Sequence, residues 1–122
     1  MVDLSPLELA FSINERGEIA GTSFVDGVHA VVWRNRTVTD LGTLPGDNYT
    51  FALGINDHSE VVGFAAPSPI APSRAVLWNR GTLTDLGVLP GALSSLAQGI
   101  NNRGQIVGTS GSHAVVWEES TR

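Results

Sequence analysis

The stretches TVTDLGTLPG, Thr37–Gly46, and TLTDLGVLPG, Thr82–Gly91, are one decapeptide written twice, 45 residues apart. A period of this size points to a repeat architecture, so the rest of the chain is aligned on it before any motif is weighed. AFSINERGEIAGTS (Ala10–Ser23) then matches ALGINDHSEVVGFA (Ala52–Ala65) and AQGINNRGQIVGTS (Ala97–Ser110). HAVVW (His29–Trp33) matches RAVLW (Arg74–Trp78) and HAVVW (His113–Trp117). The remaining copy of the decapeptide is partial and stands at the other end: VDLSPLE (Val2–Glu8) lines up with TDLGTLP (Thr39–Pro45). Asp3 falls on Asp40 and Asp85, Leu4 on Leu41 and Leu86, Leu7 on Leu44 and Leu89, and Ser5 replaces Gly42 and Gly87. With the four segments called a to d, the chain reads d-abcd-abcd-abc.

Each segment has the length and composition of a short strand. Segment a ends in an N-x-x-G turn at Asn14 and Asn101, where asparagine caps and glycine accepts positive φ. In the middle repeat Ser59 takes the glycine's place, so that turn is expected to be strained or differently shaped. Segments b and c are rich in β-branched residues, and short turns between a, b, c and d require antiparallel neighbours. The d-to-a connection is longer and is expected to cross to the next sheet. The b-to-c loop is long and proline-rich only at APSPIAPS, Ala66–Ser73.

Residues 1–122 are therefore expected to form a single all-β domain of three four-stranded antiparallel repeats with pseudo-threefold symmetry, propeller-like or prism-like. The repeats run approximately over 10–51, 52–96, and 97–122 plus 2–8, with Val2–Glu8 supplying the closing strand. The alternatives are a β-trefoil and one half of a dimeric six-bladed propeller. Composition agrees with a globular β protein: 42% hydrophobic residues and 14 glycines. The net charge of -5 and the scatter of the seven arginines along the chain argue against nucleic acid. No apolar run reaches the ~20 residues of a membrane helix. Without cysteine, disulfides and thiolate zinc sites are excluded. MVDLSPLELAFSIN has neither a basic start nor a clean apolar stretch, so no signal peptide is expected in this chain.

The ordered blocks IN..G.I.G.S, HAVVW and TDLG.LPG resemble the HAF repeat family, a bacterial repeat associated with the cell exterior. The chain carries His-Ala-Val (His29–Val31, His113–Val115) where the family name has His-Ala-Phe. The resemblance implies a β-repeat, propeller-like architecture and an extracellular or periplasmic location. It brings no reaction and no catalytic residues.

The candidate ligand residues are the repeated ones. Trp33, Trp78 and Trp117 close each c segment and suit either sugar stacking or packing between repeats. His29, Arg74 and His113 stand four residues before each tryptophan. They offer hydrogen bonds to an anion or sugar, or bonds between strands. Two imidazoles and a guanidinium do not make a metal site. Asp3, Asp40 and Asp85, like Asn14, Asn56 and Asn101, read as turn caps. His58 sits at a turn tip beside Asp57. No catalytic or cofactor motif occurs, so neither catalytic residues nor a cofactor is expected.

These readings lead to a non-catalytic binding or assembly module whose ligand is a carbohydrate or a protein. The alternative is a small hydrolase or lyase with its site near loop 66–73. A homodimer is expected. The link from Leu7 to Ala10 spans 3 positions, against 8 from Leu44 to Ala52 and from Leu89 to Ala97, and short links favour strand exchange.

Overall fold

The computed structural model describes residues 1–119. The chain is all-β, in three antiparallel sheets that follow the repeats in order. The first holds β1 (Leu9–Ile13), β2 (Ile19–Ser23), β3 (His29–Arg34) and β4 (Thr37–Asp40). The second holds β5 (Tyr49–Ile55), β6 (Val61–Ala66), β7 (Arg74–Asn79) and β8 (Thr82–Asp85). The third holds β9 (Ser95–Ile100), β10 (Ile106–Ser110) and β11 (His113–Trp117).

One device recurs in all three sheets. The pairs Ala10–Gly21, Ala52–Gly63 and Ala97–Gly108 each precede a bulge that leaves Phe11, Leu53 or Gln98 unpaired. The bulge brings the carbonyl oxygen of Leu9, Phe51 or Leu96 to where a Cβ on the facing glycine would stand. Only glycine fits there, which is why G recurs in IAGTS, VVGFA and IVGTS.

Each sheet lays one face on the next. Ala20, Ala30 and Val32 of the first sheet pack against Ala52, Ile55, Val61, Ala65, Val76 and Trp78 of the second. Val62, Ala75 and Leu77 on the other face of the second sheet pack against Ala97 and Ile106 of the third. The d-to-a connection crosses between sheets as expected. The Leu41 N–H bonds to Ala30 O on the first sheet, and Leu44 then packs in the core shared with the second.

The expected closing strand needs correction. Val2–Glu8 forms no strand, and β11 pairs with β10 alone among the described residues, so the third sheet keeps three strands. The segment is held on the first sheet instead: Leu7 is buried under Gly21, and the Glu8 N–H bonds to Thr22 O. Packing runs from the first sheet to the second and from the second to the third, which leaves β11 at the far end of the array. The sheets form no closed barrel, so the trefoil alternative is not adopted. Ser59 does not reshape its turn. Its φ of +61° and its bond to Asn56 O match Gly17 and Gly104, so it adopts the strained left-handed form. The end of the third repeat, 120–122, lies outside the described residues.

Candidate functional site

The tryptophans separate rather than forming three equal platforms. Trp78 is buried between the first two sheets, with Nε1 donating to Gly42 O at 3.1 Å. Trp117 packs partly buried against the core of the second and third sheets. Trp33 is half-buried on the outer face of the first sheet. Four residues ahead of them, two of the three side chains bridge neighbouring strands. His29 Nδ1 lies 3.7 Å from Asp40 Oδ2, and Arg74 Nη1 lies 3.8 Å from Asp85 Oδ2, so each spans from strand c to the end of strand d. His113 is exposed beside an edge with no strand d among the described residues.

The aspartates cap turns. Asp3 Oδ1 accepts from Ser5 N at 2.9 Å, and Asp40 and Asp85 accept from Gly42 N and Gly87 N, each at 2.8 Å. All three N-terminal and internal copies share this turn, which supports the alignment of Val2–Glu8 with segment d.

The asparagines cap turns and do a second job between repeats. Asn14 Oδ1 accepts from Arg16 N and Glu18 N, and Asn56 and Asn101 do the same two and four residues on. Asn14 Nδ2 donates to Asn56 O, and Asn56 Nδ2 to Asn101 O, each at 2.9 Å. Beside this ladder runs another: Glu15 N donates to Asp57 Oδ1, and Asp57 N to Asn102 Oδ1. Those bonds to Asp57, first from the Glu15 amide and then from Asn102, hold its carboxyl below the usual range. The spacing of 42 and 45 residues gave the caps; the cross-repeat bonds had no sequence signal, because they depend on how the repeats stack.

The two ends of the array differ from its interior. Val62 and Leu77 are 0% and 7% exposed under the third sheet, but their equivalents Val107 and Val116 are each 51% exposed. A hollow of about 340 Å³ on this face is lined by Gly99, Ile100, Asn101, Gln105, Val107 and Val116. At the opposite end Ile13, equivalent to the buried Ile55, is 65% exposed.

Arginines scattered in sequence also converge. Arg16, Arg34 and Arg80, with His58, line a cleft of about 430 Å³ between the first and second sheets, beside Asp40. Arg80, His58 and Arg103 line its neighbour between the second and third sheets. Buried Glu18 anchors the first cleft. Burial opposes its charge, but bonds from Ser59, Asn14 and Arg34 outweigh that and hold its pKa down to about 2.

Sequence reading also missed an aromatic cluster of Phe11, Tyr49, Phe51 and Phe64, with Phe51 and Phe64 stacked at 5.0 Å. Loop 66–73 contributes no titratable side chain, and residues 67–73 line neither arginine cleft. Among the described residues no group of ligating side chains is placed to hold a metal ion. Comparison with protein-family models, curated proteins and solved structures gave no match.

Proposed function

We propose that this chain is a non-catalytic assembly module, a sector of a propeller-like array that is extended at its end faces. The observation that carries the reading is the third sheet: it presents as surface the same positions that the first two sheets bury under their neighbours. Apolar side chains at 51% exposure are compatible with an interface, and the internal joints supply its geometry. The order of the repeated blocks supports membership of the HAF repeat family, and with it a role outside the cytoplasm. Light scattering after size exclusion tests assembly. A mass above 12.8 kDa at micromolar concentration is expected, and a monomer at every concentration rejects the reading.

A second reading is favoured by the arginine cleft. Three guanidiniums around a concave site suit a carboxylate-bearing sugar, because planar forks match carboxylates. Calorimetry with an oligouronate and its neutral counterpart tests it. Binding of the acidic form alone is expected, and equal or no binding rejects it.

A further inference from the structure

We propose that two copies of this chain join head to tail, the outer face of each third sheet receiving the first sheet of the other copy, to close a six-bladed ring. The inference rests on the assembly reading above and adds the partner, its direction and its contacts.

Every joint inside the chain is made of the same parts, and each part has one unmatched half at each end. The apolar part is an isoleucine that the following sheet inserts onto the one before it. Ile55 packs with Ala20 and Val32, and Ile100 packs against the cluster of Val62 and Leu77. The next such site is the hollow beside Val107 and Val116, and the spare isoleucine is Ile13.

The polar parts follow the same rule. Asn101 Nδ2 uses one proton on Gln105 Oε1 and has a second for a next-repeat carbonyl. Among the described residues, the carbonyl that no asparagine serves is that of Asn14, which accepts from Gly17 N. In the parallel ladder the halves with no ladder partner among the described residues are the Asn102 N–H and the Glu15 carboxylate. At the sheet edge, Leu41 N and Leu86 N donate to Ala30 O and Ala75 O, which leaves Leu4 N and Ala114 O. The pairs His29–Asp40 and Arg74–Asp85 leave His113 and Asp3.

All of these halves meet at once when the first sheet of one copy, with its Val2–Leu4, is placed on the third sheet of another. Pairing two third sheets face to face instead sets the Asn101 and Asn102 donors against donors. Three sheets per chain make two copies a six-bladed ring, inside the usual ~4–8 blades, whereas three copies exceed it. A closed twofold ring of heterologous joints leaves no end face exposed.

Two measurements on the full chain decide the matter. The wild type is expected at twice 12.8 kDa by light scattering. Ile13→Glu and Val107→Glu alter exposed side chains at opposite ends, so each variant is expected to fold and to lose the doubling. The second measurement uses the absence of cysteine. Leu4→Cys combined with Ala114→Cys is expected to give, on oxidation, a reducible dimer band and no higher ladder. A wild-type dimer that survives Ile13→Glu, or that the cysteine pair fails to lock, overturns the head-to-tail joint and leaves the assembly reading standing. A ladder of higher bands overturns closure at two copies. A wild-type monomer at all concentrations overturns both.

Discussion

At the scale of single residues, the glycines facing each bulge carry the tightest steric demand. A methyl at Gly63 meets the Phe51 carbonyl oxygen, which is backbone and cannot swing away. Gly63→Ala is expected to lower stability by about 3 kcal/mol or more. Gly17→Ala has open space and loses only about 1–2 kcal/mol, from its φ of +77°. Urea unfolding midpoints of the two variants check the contrast. Glu18 supplies a pH dependence. Its folded pKa of about 2 lies below the ordinary 4.5, so its contribution is complete above that value and is lost as pH falls toward 2. The contribution is at most about 3 kcal/mol. The stability gap between wild type and Glu18→Gln should therefore narrow on acidification through this window, read by unfolding at a series of pH values. Sequence made Asp40 and Asn56 legible as caps, because a cap acts within a few residues of itself. It did not make the Glu18–Ser59 bond or the meeting of Arg16, Arg34 and Arg80 legible, because those contacts join different repeats.

At the scale of elements, strand boundaries and order followed from block alignment, since apolar pattern and turn chemistry recur together. The place of Val2–Glu8 did not follow. Alignment says that Asp3 and Leu4 belong to a d segment; it does not say which sheet edge that segment meets. In the chain itself, burial of Leu7 under Gly21 holds the segment on the first sheet. The turn elements give a second contrast. Asn56 is buried and bonds forward to Asn101 O, while Asn101 is exposed and has no forward partner among the described residues. Asn56→Ala is expected to lose about 2–3 kcal/mol and Asn101→Ala about 1 kcal/mol in the isolated chain. Chemical denaturation at low protein concentration, where association is negligible, measures both.

At the scale of the whole molecule, the repeats form a directional array: each sheet receives the next on one face. The melting temperature is expected to rise with protein concentration, because association stabilises whatever it binds. Calorimetric scans over a hundredfold dilution check this, and a constant value contradicts assembly. The edge of β11, unpaired among the described residues, bears on how the protein matures in a cell. Synthesis runs from the first sheet to the third, and each of the first two is covered by chain that emerges after it. Under the proposed head-to-tail joint, the third would be covered by a second copy. Its last folding step would then be bimolecular, with a half-time that lengthens as expression falls. Until that copy arrived, newly made chains would carry an open strand edge of the kind that recruits chaperones or misassembles.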